Sequence, residues 1–232
     1  MTPSAAIPIE LWWHVLPLFD KDVIICFRAL LGTDVDKFLE GDVFYYAAKT
    51  ALKEGVTDPL PYFEQRLGFM PYGSWDHHAV INMKKLQSLL YLSQKGVQLS
   101  KLCMLMACKL DDPVIVSVVY STIPQCPSFD VDLLLYCMMH GKLNAAKTLT
   151  ELCDYKNMKR DMDFLNNVAS ATPTNKSTWD TCFWLMDYFQ FTESEYLYMH
   201  HLSEVFPRTH HNFCQMYKAY LSRKAQLSET LG

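Results

Sequence analysis

Apolar residues recur along this chain at the spacing of amphipathic helices, and short polar turns separate one apolar stretch from the next. The clearest example is residues 141–150, where a glycine turn leads into a run whose apolar positions recur every three or four residues. Positions three and four apart share one face of a helix, so such a run predicts a helix with one buried side. Stretches of this kind fill the chain, which predicts an all-α fold.

The same turn-and-helix element returns several times. It begins at residues 81, 111, 141, 177 and 211, so consecutive copies lie 30, 30, 36 and 34 residues apart. A nearly constant period of this length is typical of stacked helix pairs, each of which is buried by its neighbours. We therefore expect a helical-hairpin solenoid over residues 76–232. A further helical run precedes each of the last four copies, at 99–109, 130–140, 163–170 and 193–205.

One segment contradicts this interpretation on local propensity alone. Residues 114–120 are rich in valine and other β-branched side chains, which favour strands. The same position in the neighbouring copies is helical, and Pro113 suits the first turn of a helix. We therefore predict a helix here.

The beginning of the chain has a separate pattern. Leu11, Val15 and Leu18 share one helical face, and Asp20 or Asp22 can cap a following helix, so short helices are expected here. Residues 55–75 then contain three prolines and three glycines, which predict a turn-rich connector.

Composition narrows the function. The chain has 232 residues, half of them hydrophobic and a fifth charged, as in an ordinary globular protein. Its net charge of −4 gives no electrostatic reason to expect nucleic acid or an anionic membrane as a partner. Met1 to Glu10 lack a basic start followed by an apolar core, so no signal peptide is expected. The eight cysteines lie mostly in apolar helical runs, as free thiols do, which predicts a reducing, cytoplasmic location.

The sequence contains few candidates for catalytic or metal-binding residues. Three histidine pairs suggest a metal, but His211 with Cys214 is the nearest approach to zinc-ligand spacing and no second pair lies nearby. We therefore interpret the pairs as solvated histidines in loops and turns. No stretch has the glycine spacing of a phosphate-binding loop, and nothing marks a cysteine as an activated nucleophile. The sequence predicts a protein that is not an enzyme, with no catalytic residue, metal or cofactor.

The fourth copy contains more aromatic residues than one buried stripe requires. One interpretation is a thick core between helices. The other is a partner-binding patch, because aromatic side chains anchor protein interfaces. The candidate partner-binding residues are Trp179, Trp184 and Tyr188.

The copies at 81–90, 111–120 and 141–150 resemble the second helix of ankyrin repeats, in which a glycine, a polar residue and a leucine introduce an amphipathic helix. Gly141-Lys142-Leu143 is the best match. No copy has the threonine-proline-leucine-histidine opening of the first helix. The resemblance implies degenerate ankyrin-like repeats, and a different helical-hairpin solenoid remains an alternative.

Residues 7–28 resemble an F-box. They read Ile7-Pro8-Ile9-Glu10-Leu11, then Val15-Leu16-Pro17-Leu18-Phe19-Asp20, then Asp22-Val23-Ile24-Ile25. The loop around Asp20 is one residue shorter than in that family, and the usual cysteine-lysine-x-tryptophan end is missing. The resemblance implies a three-helix F-box-like domain over residues 1–54 that docks on the Skp-family adaptor of a cullin ubiquitin ligase. The positions that match adaptor-facing residues of the family are Pro8, Leu11, Val15, Leu16, Leu18, Phe19, Asp22 and Val23.

An F-box followed by divergent ankyrin-like repeats resembles proteins encoded by large DNA viruses and by some intracellular bacteria. The resemblance implies a substrate receptor in the ubiquitin conjugation pathway, whose repeats select an unknown target protein. A viral protein of this kind would act in the host cytoplasm. The alternative is a repeat protein for protein–protein interaction or structural assembly, with no ligase link. Its first helices would only cap the solenoid.

Overall fold

The computed structural model describes residues 41–123, 127–153, 155 and 160–231, and every structural statement below concerns these residues. Over this part of the chain there are twelve α-helices and no β-strand, which confirms the predicted all-α fold. The residues form two compact units, one ending at Gln94 and the other beginning at Lys95.

The first unit contains four described helices. They are α1 (Gly41–Glu54), α2 (Leu60–Leu67), α3 (Ser74–Asn82) and α4 (Leu86–Gln94). Helix α1 packs on α2 and α3, and α3 packs on α4. The core between them includes the fully buried side chains of Leu52, Leu60, Phe63, Ile81 and Leu89.

The segment 55–75, which was expected to be a connector, contains helix α2. A proline stands in its first turn, and Gly68 ends it in the left-handed conformation at φ 72°. Proline at a helix start and glycine just past a helix end are preferred positions for these residues. The residues that predict turns here therefore mark the two ends of a short helix.

A buried ionic contact holds α3 against α1. The carboxylate of Asp76 is buried and lies 3.2 Å from the ammonium groups of Lys49 and of Lys53. It also accepts the backbone N–H of Gly73 at 3.0 Å. Burial alone would raise the pKa of Asp76, but the Gly73 N–H and the two ammonium groups outweigh it and lower the pKa. The carboxylate of Asp76 therefore stays ionised at neutral pH.

The second unit contains the remaining eight helices. They are α5 (Lys101–Leu110), α6 (Pro113–Thr122), α7 (Pro127–His140), α8 (Leu143–Leu152), α9 (Met162–Ser170), α10 (Trp179–Phe189), α11 (Glu193–Val205) and α12 (Pro207–Leu231). Helices α6, α8, α10 and α12 pack side by side, while α5 packs on α7 and α9 packs on α11. The unit therefore has two layers of helices.

The helix predicted over residues 114–120 is confirmed as part of α6. The side chain of Asp112 accepts the N–H groups of Val114 and Ile115 at 3.1 and 3.3 Å, and Pro113 follows as the first helical residue. Val116 and Val119 are buried. A side-chain cap and burial against neighbouring helices together outweigh the strand propensity of β-branched residues.

The predicted repeat register is correct for three copies and wrong for two. The copies at 111, 141 and 177 were expected to enter a helix two residues later, and α6, α8 and α10 begin at 113, 143 and 179. The copy at 81 is displaced, because residues 81 and 82 end α3 and the turn follows them. The copy at 211 lies inside α12, which begins at Pro207 and continues without a turn.

The turn between paired helices has a recurrent backbone conformation. Lys84, Asp111 and Gly141 occupy the same place in their turns, and all three have positive φ. The carboxylate of Asp111 also reaches the next pair, where it accepts the N–H of Ala145 at 2.8 Å and the side-chain amide of Asn144 at 3.3 Å. Helix α8 receives no cap from the side chain of its own N-cap residue, Lys142. The preceding pair therefore caps α8.

Loss of this cap should be measurable. Asp111→Gly keeps the left-handed backbone but removes the carboxylate. Gln190→Gly is a matched control, because Gln190 has φ 49° and an exposed side chain. We expect Asp111→Gly to be more destabilising than the control by about 1 kcal/mol in denaturant unfolding. Hydrogen exchange at the Ala145 amide should also accelerate in Asp111→Gly. If the two variants were equally stable and the exchange rate of the Ala145 amide were unchanged in Asp111→Gly, Asp111 would not be the cap of α8.

Candidate binding groove

A groove runs across the second unit where α8, α10 and α12 lie side by side. It consists of two adjoining depressions of about 680 and 430 Å³. Lys147 and Trp184 line both depressions, so the two form one continuous surface, which we call the α8–α12 groove. The first depression is also lined by Glu151, Leu152, Cys153 and Tyr188, and the second by Phe183, Tyr220, Arg223, Lys224 and Leu227.

The most apolar wall of the groove is a pair of aromatic rings on α10. Trp184 and Tyr188 are four residues apart, so they lie on the same face of the helix. Their rings stack with centroids 5.4 Å apart and planes inclined by 25°. Both side chains are half-buried, whereas Leu185 and Phe189 on the adjoining face of the helix are buried in the core. The pair presents a flat surface to the groove.

Trp179 does not belong to this surface. Its side chain is 5% exposed, and its indole N–H donates to the backbone carbonyl of Pro173 at 2.9 Å. It is a core residue with a satisfied polar atom, so we correct the expectation that Trp179 binds a partner. The aromatic residues of this copy divide between the core and the groove.

Charged pairs connect α10 to α12 along the second depression. Arg223 lies 2.8 Å from Asp180, and Lys224 lies 3.2 Å from Asp187. The hydroxyl of Tyr220 donates to Asp187 at 2.6 Å. Burial and this hydrogen bond raise the pKa of Tyr220, so it remains a donor at neutral pH. Exposed ion pairs add little stability, and their main effect here is to neutralise four charges.

Lys147 differs from the other two cations of the groove. Its side chain is exposed, and no carboxylate within the described part of the chain lies at ion-pair distance. Glu151 follows one turn later on α8 and lines the first depression. The groove therefore has a cation without an ion-pair partner where its two depressions meet, and the carboxylate of Glu151 farther into the first depression.

The cysteines of this unit have the properties of core residues. Burial raises the pKa of Cys153 at the edge of the groove, and it raises the pKa of Cys182 to about 12. A hydrogen bond with Cys108, followed by burial, raises the pKa of Cys137. A nucleophilic thiol needs a lowered pKa, so these three thiols are not activated.

The expectation that the histidine pairs are solvated loop residues is wrong about the loops and only partly right about the solvation, because His201 and His211 are exposed. All three pairs lie within helices, at 77–78 in α3, 200–201 in α11 and 210–211 in α12. His77 and His210 are buried, because adjacent residues of a helix face different sides and one of them meets the core. Burial lowers the pKa of His77, which favours its neutral form. The described residues contain no group of three or more side chains placed to hold a metal ion.

The eight candidate adaptor-binding residues, from Pro8 to Val23, lie outside the described residues. The adaptor expectation therefore remains a prediction from the sequence. None of the described helices combines the length and the hydrophobicity needed to cross a bilayer.

Comparison of the chain with protein-family models, with curated proteins and with solved structures gave no match.

Proposed function

We propose that this chain is a non-enzymatic helical repeat protein that binds a target protein in the α8–α12 groove. The observation that carries the proposal is the Trp184–Tyr188 stack, which lies half-exposed in a groove of this size next to Lys147. Large aromatic side chains in a concave surface are the usual anchors of a protein interface.

A variant of Trp184 tests this proposal. The intact protein is captured from cells under cross-linking, and the proteins recovered with it are quantified for the parent, for Trp184→Ala and for Trp75→Ala. Trp75 is a matched control, since it is 84% exposed and lies in the other unit. We expect the amount of target protein recovered with Trp184→Ala to fall by tenfold or more relative to the parent, as for an interface anchor. The amount recovered with Trp75→Ala should be unchanged. Equal recovery from both variants would rule out the groove as the binding surface.

We further propose that the N-terminal segment links the bound target to a ubiquitin ligase in the cytoplasm, which would be the host cytoplasm for a viral protein. This step is supported by the F-box resemblance of residues 7–28, whose apolar positions match those that dock on the Skp-family adaptor. Together the two steps describe a substrate receptor, with the target on the groove and the adaptor on the N-terminal segment.

Direct binding of the intact chain to a purified Skp-family adaptor separates this proposal from the alternative without a ligase link. Isothermal titration should give a saturable complex if the segment is an F-box. A different result would be a chain that captures its target in a way that depends on Trp184 and yet shows no binding to the adaptor. That result would identify a repeat protein for protein–protein interaction or structural assembly.

A further inference from the structure

We propose that the ligand of the α8–α12 groove is an acidic peptide segment, in which a carboxylate lies within two residues of a large apolar side chain. The carboxylate would pair with Lys147, and the apolar side chain would pack on Trp184 and Tyr188. This inference rests on the proposed function, because it names the class of partner that the same groove takes.

The charge pattern of the groove selects an acidic ligand. Asp180 and Asp187 neutralise Arg223 and Lys224, so Lys147 is the charged residue of the second depression that has no ion-pair partner within the described residues. Lys147 stands where the two depressions meet and has no carboxylate at ion-pair distance within the described residues, although Glu151 follows one helical turn later. A partner that brings a carboxylate to this position gains an ion pair next to an aromatic wall on which its apolar side chain can pack.

The carboxylate of Glu151 determines the orientation in which an acidic ligand can lie in the groove. It lies one helical turn from Lys147 and lines the first depression together with the aromatic pair. A second acidic residue on the ligand would meet repulsion there, while a neutral or basic residue would not. The carboxylate of the ligand is therefore confined to the position of Lys147, where the two depressions meet.

The spacing within the ligand follows from the spacing within the groove. The axes of packed helices such as α8 and α10 lie about 8–10 Å apart and their neighbouring side chains approach more closely, while an extended peptide covers about 6–7 Å in two residues. Trp184 lines both depressions with Lys147, so the acidic residue and the apolar anchor must be neighbours or nearly so. A nucleic acid backbone is disfavoured, since Glu151, Asp180 and Asp187 would face its phosphates.

Selection from a random library tests the proposal without knowledge of the natural partner. A library of random twelve-residue peptides displayed on phage is panned on the intact protein. Recovered peptides are synthesised with a fluorescent label, and their affinities are measured by anisotropy. We expect enrichment of aspartate or glutamate within two residues of tryptophan, phenylalanine or leucine.

Charge variants then locate the binding. Lys147→Glu should weaken the selected peptides by tenfold or more, and Lys109→Glu, an exposed lysine on α5, should leave them unchanged. The double variant Lys147→Glu/Glu151→Lys preserves the net charge of the protein and exchanges the charges of positions 147 and 151. It should also weaken binding by tenfold or more, which separates local charge pairing from overall attraction.

The outcomes separate the two proposals. Peptides that lose affinity in Trp184→Ala but show no acidic preference, or that bind Lys147→Glu as tightly as the parent, overturn the acidic ligand and leave the groove as the binding surface. Peptides unaffected by Trp184→Ala, a selection that recovers none, or concentration-dependent self-association through the groove overturn both proposals.

Discussion

Gly141→Ala is expected to lower the free energy of unfolding by about 3 kcal/mol. Gly141 has φ 63°, where an alanine costs about 1–2 kcal/mol. A Cβ at this position would also lie 2.6 Å from the Cβ and 2.7 Å from the Cγ2 of Thr178, in the turn before α10. Overlap of this kind forces neighbouring elements apart. Denaturant unfolding of the variant measures the loss.

Two further variants separate backbone strain from overlap. Gly96 has φ 69° with nothing within 4 Å of an added Cβ, so Gly96→Ala should cost about 1–2 kcal/mol, which is the backbone strain alone. Thr178→Gly removes the side-chain atoms that overlap, so Gly141→Ala should be less costly in that background by about 1–2 kcal/mol. If Gly141→Ala and Gly96→Ala were equally destabilising, the close approach between the two pairs would not contribute.

The helical content and part of the repeat could be predicted from the sequence because they depend on local signals. Pro113 after Asp112 and Gly141 before Leu143 mark helix starts by their chemistry, and α6 and α8 begin there. The start of the copy at 81 was predicted wrongly because the equivalent turn residue is Lys84, which adopts φ 53° although it is not a glycine. Its sequence offers no local signal for a left-handed turn.

The groove could be predicted only in part. Helix α10 is apolar on most of its surface, so periodicity alone does not tell whether Trp179 or Trp184 faces outward. That distinction depends on which neighbours cover the helix, and they leave Trp179 in the core and Trp184 half-exposed. Lys147 looks like any solvated lysine in the sequence. It joins the groove because α10 packs against α8, a contact between residues about 37 apart in the chain.

A contact between residues far apart in the chain also explains why Asp111 caps α8. The acidic pair at 111–112 predicts the start of α6, and Asp112 has that role. The carboxylate of Asp111 acts instead on Ala145, more than 30 residues later, because the repeat brings successive turns side by side. A pattern read one helix at a time assigns both carboxylates to the nearest helix, so the contact between pairs appears only in the folded chain.

Truncation of Leu11 and Leu16 together is expected to weaken binding of the Skp-family adaptor more than a hundredfold. In the F-box resemblance both positions face the adaptor, and an F-box docks by burying a few apolar side chains in a hydrophobic groove. Leu11→Ala/Leu16→Ala removes several methylene-sized groups. At about 0.8 kcal/mol for each buried group, the loss should be on the order of 3 kcal/mol or more. Isothermal titration of the intact chain with purified adaptor measures it.

The control for this experiment is the thermal stability of the double variant. If Leu11 and Leu16 belong to an interface, the double variant should melt within a few degrees of the parent, and Lys21→Ala should leave both melting and adaptor binding unchanged. A double variant that unfolds, beside a silent Lys21→Ala, would show that residues 7–30 are an ordinary cap of the solenoid, whose apolar side chains serve packing. A parent chain that gives no saturable complex with the adaptor would end the ligase proposal directly. In that case the α8–α12 groove would remain as the surface to test, because its ligand does not depend on the N-terminal segment.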